Sequence, residues 1–268
     1  MVMNNLSVSL IVSTYNWPEA LNLCLESICR QTVMPTEVII ADDGSTGETK
    51  ELIEQYRKTF PVPLIHVWQE DDGFQLSRIR NKAIAAATGD YIIQVDGDLI
   101  LERHFISDHI IFSKRNSFVS GSRVIMRQEL SKRLLKTSQT RIPLITKGLI
   151  NVANGLRIPF LSKRLENYKN DDVYYLRGCN MAFWRSDLIR VNGYNEAFTG
   201  WGREDNEIGL RLINSGVEKR VIKFSGIVFH IYHPEKTRSG LNINDEILKQ
   251  TALNNLIYCD KGLSQYIL

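Results

Sequence analysis

Two aspartates one residue apart are the first sign of chemistry in the sequence. Asp96 and Asp98 stand in "QVDGDLI", at the end of an apolar run. Carboxylates this close repel each other, and a divalent cation removes that repulsion. Oxygen ligands of this kind suit Mg²⁺ or Mn²⁺. The pair therefore indicates a metal site, although Asp-Gly is also a good turn pair, so an ordinary turn stays open as the alternative.

Two histidines late in the chain offer further metal ligands. His230 and His233 lie in "FHIYHPE", after a predicted strand. Imidazole binds Mn²⁺, whereas zinc is less expected because no cysteine pair accompanies the histidines and their expected partners are aspartates. A structural role is the alternative for either histidine.

Three acids crowd the start of a predicted helix in "GWGREDNEIGLRL", residues 200–212. Glu204, Asp205 and Glu207 could be there because the positive end of the helix dipole favours acids. The same field keeps a carboxylate ionised, and an ionised carboxylate can act as the base of an enzyme. Glu207, one turn into the helix, is interpreted as a helix-surface or support residue.

Two further stretches carry side chains that could hold a nucleotide. "EVIIADDGS" places Asp42 and Asp43 at a predicted strand end, on opposite sides. One of them can accept hydrogen bonds from a nucleobase or ribose, and helix capping is the alternative. In "EDDGFQLSRIRNKAI", Arg78 and Arg80 could meet a diphosphate or hold the acidic loop in place.

Alternating strands and helices position these residues. Apolar strands are predicted in "LSVSLIV", "EVIIADDGS", "PLIHVWQ" and "DYIIQVDGD", with helices between them, the first beginning at Pro18 with Asn16 as its cap. This order is typical of a parallel sheet with crossover helices. Polar clusters follow three of the strands, at 13–16, 42–45 and 96–98. Because strand ends line one crevice in such sheets, we expect these clusters to meet there.

The pattern changes after residue 105. Further strands are predicted at 117–125 and 219–232, and an amphipathic helix at 244–258. The segment 131–169 carries nine basic residues and one acid, whereas the rest of the chain has 24 basic and 29 acidic residues. It is either a solvated helical excursion or a basic amphipathic segment that meets an anionic lipid surface or a diphosphate-bearing acceptor.

Composition describes an ordinary globular chain. Its 268 residues are 43% hydrophobic, enough for one large domain or two small ones. The net charge of +3 gives no reason to expect a nucleic-acid partner. Four cysteines without a CxxC pair predict reduced thiols and a cytoplasmic location. Neither a signal peptide nor an apolar run of membrane-spanning length is predicted.

Taken in order, these motifs resemble the inverting nucleotide-sugar glycosyltransferases of GT-A type in family 2. The likeness extends from "SLIVSTYNWPEAL" through "EVIIADDGSTG", "DDGFQLSRIRNKAIAAATGDYIIQVDGD" and "GCNMAFWRSDLIRVNGYNEAFTGWGREDNEIGLRL" to "FHIYHPE". Bacterial capsule and O-antigen sugar transferases and chondroitin-polymerase-like catalytic domains are similar by pattern. The resemblance implies an α/β fold with a Rossmann-like, mostly parallel central sheet flanked by helices. The segment 131–169 has no counterpart in this pattern, and its charge indicates a basic helical insertion.

The resemblance also implies a role for each matching residue. The implied sets are Ser13, Tyr15, Asp43, Asp72, Arg80 and Asp96 for the nucleotide-sugar pocket, Asp98, His230, Asp96 and His233 for the metal, Asn180, Trp201 and Gly202 for the donor or acceptor sugar, and Asp205 and Glu204 for catalysis. Within these sets Asp205 is the expected base, and Asp98 is the expected direct metal ligand.

The implied activity is the metal-dependent transfer, with inversion, of a hexose or N-acetylhexosamine. The sugar would pass from a UDP-sugar to a hydroxyl of a glycan or lipid-diphosphate-linked acceptor, in bacterial surface polysaccharide synthesis. Mn²⁺ or Mg²⁺ would be the cofactor. The enzyme would be cytoplasmic, with peripheral contact between 131–169 and the inner face of the plasma membrane as a further hypothesis.

One GT-A domain over 1–268 is expected. It would comprise a nucleotide-binding half at 1–105, an acceptor-binding half at 106–240 with the insertion 131–169, and a C-terminal helix at 241–268. A nucleotidyltransferase acting on sugar phosphates is one alternative, although the loop "STYNWPEA" lacks the glycines and lysine that such enzymes use. A non-catalytic sugar-nucleotide binding module is the other.

Overall fold

A computed structural model describes residues 6–234 and 241–267 of the chain. Glu235, the last residue of "FHIYHPE", lies outside the described residues. The helices and strands are β1 (Val8–Thr14), α1 (Pro18–Ile28), β2 (Glu37–Asp42), α2 (Gly47–Arg57), β3 (Leu64–Trp68), α3 (Leu76–Ala86), β4 (Tyr91–Asp96), β5 (Leu99–Leu101), α4 (Phe105–Phe112), β6 (Ser117–Gly121), β7 (Val124–Met126), α5 (Gln128–Thr137), β8 (Leu149–Ile150), α6 (Pro159–Arg164), β9 (Asn180–Trp184), α7 (Arg185–Arg190), α8 (Glu204–Asn214), β10 (Glu218–Ile222), β11 (Val228–His230) and α9 (Leu241–Leu253).

A seven-stranded central sheet organises the fold, in the order β10-β6-β9-β4-β1-β2-β3. β1 pairs in parallel with both β2 and β4, and β2 pairs in parallel with β3. β9 runs antiparallel between β4 and β6, and β6 pairs in parallel with β10. The predicted, mostly parallel sheet is therefore confirmed.

Two apolar layers cover the faces of this sheet. Alternate residues of β1 point to opposite faces, so Leu10 and Val12 join the layer that contains α1, and Ile11 joins the layer that contains α3. Burial on both faces explains why the strand sequences are continuous apolar runs.

A smaller sheet with the order β5-β11-β7-β8 lies beside the first. The strands predicted at 117–125 and 219–232 are each divided between the two sheets, because the chain turns between β6 and β7 and again between β10 and β11. Gly121 makes the first turn possible, since a Cβ there would lie 2.2 Å from Nδ2 of Asn180. The second turn contains Gly226, whose φ is +57°.

The basic segment 131–169 is less helical than predicted. It holds most of α5, the two-residue strand β8, a 3-10 turn at Val152–Gly155 and the short α6. α5 packs through Leu130 and Leu134 in a third apolar cluster. Elsewhere apolar side chains face outward, with Ile145 96% and Phe160 68% exposed. Among the helices of residues 6–234 and 241–267, none is both long enough and apolar enough to cross a membrane.

Candidate active site

The polar clusters that follow β1, β2 and β4 meet at one edge of the central sheet, as predicted. Strand register places Ser13 beside Asp96. Asn16 then links two of the loops: its backbone N–H donates to Oγ of Ser45, and its Oδ1 accepts from the backbone N–H of Thr46 at 2.8 Å. The prediction that Asn16 caps α1 is therefore wrong, because Trp17 holds the N-cap position.

Arg80 is the centre of this edge. Its guanidinium, only 1% exposed, donates through one Nη to Oδ1 of Asp205 at 2.9 Å and through the other to Oδ1 of Asp96 at 3.2 Å. Its Nε lies 3.4 Å from Oγ of Ser13, which accepts. The fork of one arginine thus joins the acid that ends β4 to an acid at the start of α8.

The surrounding acids set the charge state of this cluster. Burial lowers the pKa of Arg80, but the charges of Asp205 and Asp96 outweigh it and hold the pKa above its ordinary value. Desolvation, together with the charge of Asp98 and against the opposing effect of Arg80, raises the pKa of Asp96 to about 6. A cation beside Asp96 would favour its ionised form.

The start of α8 places two adjacent acids in different environments. A tight turn with positive φ at Gly202 (+104°) and Arg203 (+78°) leads into the helix. Asp205 accepts from Arg80 and, at 3.4 Å, from the Tyr194 hydroxyl, and both bonds fall on Oδ1. Oδ2 of Asp205 accepts no hydrogen bond from the described part of the chain.

Glu204 is nearly buried beside it, at 7% exposure. Its Oε1 lies 3.8 Å from an Nη of Arg80, and its Oε2 is buried without a hydrogen-bond partner among the described residues. Burial, followed by the charge of Asp205, raises the pKa of Glu204 to about 8. Glu204 is consequently protonated in much of the population near neutral pH, which makes it a poorer base than an ionised carboxylate.

One carboxylate and two imidazoles form a candidate metal centre next to Asp96. Oδ2 of Asp98 lies 3.4 Å from Nε2 of His230 and 3.3 Å from Nε2 of His233, and the three ligand atoms lie within 4.8 Å of one another. Oδ1 of Asp98 is buried and has no hydrogen-bond partner within the described ranges. Two histidines and one carboxylate suit a divalent first-row cation, and the unpartnered oxygen fits a missing ligand bond.

Neighbouring groups hold these histidines in place. Burial lowers the pKa of His230 to about 4, so its imidazole is neutral, as a metal ligand must be. Nδ1 of His233 lies 2.9 Å from the carbonyl oxygen of Pro234, and its ring meets that of Trp17 edge-on. The preceding residue, Tyr232, donates its backbone N–H to Oγ of Ser131 on α5. Such outer contacts orient metal ligands.

The predicted nucleotide residues border the same edge. Asp43 is buried and accepts from the side chain of Gln69 at 2.6 Å and from the backbone N–H of Gln75 at 3.0 Å. The Tyr15 hydroxyl donates to Oδ2 of Asp71 at 3.0 Å. Asp72 lines a neighbouring cavity of about 300 Å³ together with Arg78.

Comparison with known proteins identifies the family to which these residues belong. A model of glycosyl transferase family 2 matches residues 9–191, more than half of the chain. The chain belongs to this family. A model described as the N-terminal domain of galactosyltransferase matches residues 159–234, which include the candidate base and both histidines. Family 2 membership favours a glycosyltransferase over the nucleotidyltransferase alternative.

Curated relatives of this family 2 chain include chondroitin and hyaluronan synthases and a validoxylamine A glucosyltransferase of Streptomyces hygroscopicus. It is 27% identical over 266 residues to chondroitin synthase of Escherichia coli, with 91% of this chain and 38% of that protein covered. It is 27% identical over 268 residues to hyaluronan synthase of Pasteurella multocida, with 92% and 27% covered. The chain thus spans well under half the length of these two synthases.

Solved structures give the fold. Residues 1–349 of TarS from S. aureus in complex with UDP match with a TM-score of 0.66 at 17% identity, covering 97% of this chain and 68% of that one. Mannosyltransferase PcManGT from Pyrobaculum calidifontis, in complex with GDP-Man and Mn²⁺, matches with a TM-score of 0.61 at 19% identity, covering 94% and 65%. The predicted GT-A fold is confirmed.

One residue predicted for sugar binding lies elsewhere in this family 2 structure. Asn180 is fully buried, and its Nδ2 donates to the carbonyl oxygens of Ser122 and Gly226 while its Oδ1 lies 3.1 Å from Nε2 of His109. The structure therefore does not bring Asn180 into the cleft. Its amide joins the two turns between the sheets.

The predicted sugar wall at Trp201 and Gly202 lies on the surface beside the acids. Trp201 is 43% exposed. The carbonyl oxygen of Gly202 accepts from Nδ2 of Asn244 on α9, so the C-terminal helix holds this loop. A wall for an acceptor sugar remains a prediction for both residues.

Sequence reasoning missed three residues that shape the site. Asp71 contacts Tyr15, and the acidic run "EDD" was a usable signal for it. Gly178 packs against Asp205 so closely that a Cβ would lie 1.6 Å from Oδ2, and Tyr194 donates to both Gln94 and Asp205. Neither Gly178 nor Tyr194 carries a sequence signal, because both act through contacts that only the fold creates.

Proposed function

We propose that this family 2 glycosyltransferase moves a hexose or N-acetylhexosamine from a UDP-sugar to a hydroxyl of a glycan or lipid-linked oligosaccharide, with inversion. One observation carries the proposal: Arg80 joins Asp205 to Asp96, directly beside the cluster of Asp98 and two histidines. A proton acceptor and a site for an anionic leaving group therefore lie next to each other, as a displacement at a sugar carbon requires.

Asp205 is the general base in this proposal. Both of its hydrogen bonds fall on Oδ1, which leaves Oδ2 to take the proton of the acceptor hydroxyl. The hydroxyl oxygen bonds to the anomeric carbon as the bond from that carbon to the diphosphate breaks. A single displacement of this kind inverts the configuration. Arg80 fixes the orientation of the base through one Nη and contacts Asp96 through the other.

Asp98, His230 and His233 would hold Mn²⁺ or Mg²⁺, whose chemistry when bound is to offset the charge on a leaving diphosphate. Asp96 is an additional candidate ligand. Two matching structures contain Mn²⁺ with a nucleotide or nucleotide-sugar, PcManGT with GDP-Man and GalNAc-T7 with UDP and GalNAc. TarS complexes with UDP and with UDP-GlcNAc support a uridine donor.

The proposed setting is bacterial surface polysaccharide synthesis on the cytoplasmic side of the membrane. The names of the chondroitin and hyaluronan synthases support it. The basic segment 131–169 would contact anionic lipid through Ile145 and Phe160, which are 96% and 68% exposed. Co-sedimentation with phosphatidylglycerol vesicles tests this, and equal binding by an Ile145→Ser/Phe160→Ser variant would rule out the contact.

The deciding experiment is nucleotide release from a panel of UDP- and GDP-sugars, with and without Mn²⁺. Asp205→Asn keeps the shape of the base and removes its basicity, so kcat should fall about 10²- to 10⁴-fold while nucleotide binding persists. Asp260→Asn, an exposed change, is the matched control. Full activity in Asp205→Asn would move the base elsewhere, and full activity of Asp98→Ala in EDTA would refute the metal role. Turnover of any donor excludes a non-catalytic binding module.

A further inference from the structure

A cluster of aromatic and cationic side chains joins the end of the basic segment 131–169 to residues 175–177 and 219–223. The rings of Tyr168 and Tyr175 meet edge-to-face with centroids 5.6 Å apart. Four cations surround the pair, each within 6 Å of a ring centroid. We call this set the tyrosine–lysine platform, and its members are Tyr168, Tyr175, Lys169, Arg177, Lys219 and Lys223.

The contacts of the platform are short and shared between the rings. Nζ of Lys223 lies 4.4 Å from the Tyr168 centroid, and Nζ of Lys169 lies 4.9 Å from the centroid of Tyr175 and 5.8 Å from that of Tyr168. Lys169 and Arg177 are exposed, and Tyr168 is 38% exposed. A ligand can therefore reach cations and ring surface at the same place.

A buried cation, Lys219, holds the backbone of the platform in place. Lys219 is 4% exposed, and its ammonium donates to the carbonyl oxygens of Lys169 and Asp172. It thereby fixes the turn that carries Lys169, whose φ is +51°. Burial lowers the pKa of Lys219 to about 8. The platform is thus a built feature of the fold and not a chance meeting of surface side chains.

The local charge is positive after the nearby acids are counted. Asp171 and Asp172 lie in the same turn and act on Lys219. Asp172 also accepts from the backbone N–H of Tyr174 through its Oδ1. Four cations against these two acids leave a charge of +2 beside exposed ring surface, which favours an anionic ligand with flat apolar faces.

Residues that flank the platform contact the proposed base and its helix. Arg177 precedes Gly178, which packs against Oδ2 of Asp205. The following residue of α8, Asn206, donates from Nδ2 to the carbonyl oxygen of Val173 at 2.8 Å. Tyr174 continues the surface toward the loop of Trp201, since Arg203 stacks over its ring at 5.3 Å. Residues 173–178 therefore connect the platform to the helix and the loop that carry the proposed base.

We propose that the tyrosine–lysine platform is an extended acceptor subsite for an anionic polysaccharide, with acidic groups on the cations and sugar faces on the tyrosine rings. This inference rests on the proposed function, because it takes Asp205 as the point where the acceptor ends. A polysaccharide fits better than a lipid surface, because the exposed side chains of the patch are tyrosines and cations, and aliphatic tips suited to lipid lie in the segment around Ile145.

The test is binding of an oligogalacturonate and an uncharged malto-oligosaccharide of equal length, measured by calorimetry at two salt concentrations. The variant Lys169→Gln/Lys223→Gln removes two charges from the platform, and Lys50→Gln/Lys58→Gln removes two exposed charges from the end of the molecule that carries α2. Tyr168→Leu removes a ring and keeps the charge. Melting temperatures confirm that each variant is folded, and donor hydrolysis without acceptor is measured for each.

We expect the wild type to prefer the oligogalacturonate. Lys169→Gln/Lys223→Gln should weaken that binding about five- to tenfold, because exposed charge contacts each contribute modestly to affinity. The binding that remains should depend less on salt, since two screened contacts are lost. Tyr168→Leu should weaken binding of both sugars, and the α2 control should bind as the wild type does. Donor hydrolysis should be unchanged in all variants.

Equal affinity of the wild type and Lys169→Gln/Lys223→Gln would overturn the proposal. So would loss of phosphatidylglycerol vesicle binding by this variant without any change in oligogalacturonate binding, which would make the patch a membrane contact. Failure of the proposed function gives a different result: no donor is turned over, while oligogalacturonate binding still depends on the platform.

Discussion

Glu207 forms the most deeply buried ion pair of α8, and its removal has a predictable cost. Both oxygens of Glu207 accept from Arg211 at 2.8 Å, and the two side chains are 1% and 0% exposed. Arg211 also donates to the carbonyl oxygens of Val191 and Gly193, and Thr251 of α9 donates to Oε1 of Glu207. The pair therefore joins α8 to a turn and to the C-terminal helix.

The expected cost follows from the burial of the charge that remains. Glu207→Ala leaves a guanidinium in the interior without a counter-charge, which typically destabilises a protein by about 3–5 kcal/mol. For a domain of this size about 1 kcal/mol lowers Tm by about 2–4 °C, so Tm should fall by roughly 10 °C. Glu207→Gln also removes the counter-charge but keeps one oxygen that accepts from Arg211, so it should cost less than Glu207→Ala and at least about 2 kcal/mol.

Urea denaturation of the wild type, Glu207→Ala, Arg211→Met and the double variant measures the coupling. Because the double variant buries neither charge, its loss of stability should be smaller than the sum of the single losses by about 1–3 kcal/mol. A cost below about 1 kcal/mol for Glu207→Ala would refute the reasoning, since it would mean that Arg211 reaches water or another acid. Additive single losses would likewise refute a direct pair.

Three further predictions test the neighbouring contacts. Ser131→Ala removes the hydrogen bond that holds the backbone of Tyr232, the residue before His233, so half-maximal activity should need about tenfold more Mn²⁺. Ser138→Ala is the control. A Mn²⁺ titration of Ser131→Ala that equals that of the control would refute the role of this contact. Burial raises the pKa of Glu204 from 4.5 to about 8, so the free energy of unfolding of the wild type should fall as the pH rises through this window. Glu204→Gln has no carboxyl group to ionise, so at the upper end of the window it should be more stable than the wild type by up to about 5 kcal/mol. If the urea midpoints of the wild type and Glu204→Gln changed by the same amount between pH 5 and pH 8, this prediction would be contradicted. Asn180→Ala leaves two carbonyl oxygens without a hydrogen bond and should lower the free energy of unfolding by about 3 kcal/mol, with an unchanged KM for the nucleotide-sugar. A raised KM at an unchanged Tm would instead support the predicted contact between Asn180 and the sugar.

The fold was predictable where local pattern decides it. Apolar runs followed by polar residues placed β1, β2 and β4 and their common edge, because parallel strands with crossover helices leave few arrangements. The prediction failed where one apolar run serves two sheets, as at 117–125. That division depends on Gly121 and on an amide from Asn180, which are distant in sequence. The segment 131–169 contains less helix than its basic and apolar pattern predicts, because turns and the strand β8 separate its short helices.

The site was predictable in its residue types and not in its pairings. Asp98, His230 and His233 were each expected near a metal, and the structure adds that both imidazoles face the same carboxylate oxygen. The sequence allows Arg80 to meet a diphosphate or to hold the acidic loop in place, whereas in the structure its carboxylate contacts are Asp96 and Asp205, together with a longer approach to Glu204. Sequence patterns report which element carries a residue, whereas pairing depends on how distant elements pack.

The first turn of α8 shows how pairing separates residues that a sequence presents as equals. Glu204, Asp205 and Glu207 experience the same helix dipole, so the dipole cannot assign their roles. Asp205 meets Arg80, which lies 125 residues earlier in the chain, and both of its hydrogen bonds within the described residues fall on Oδ1. Glu207 faces inward to Arg211, and Glu204 keeps a buried oxygen without a partner in the described residues. Because their surroundings differ this much, Asp205→Asn should change turnover, Glu207→Ala should change stability, and Glu204→Gln should change the pH dependence of stability, so three neighbouring acids should give three separable phenotypes.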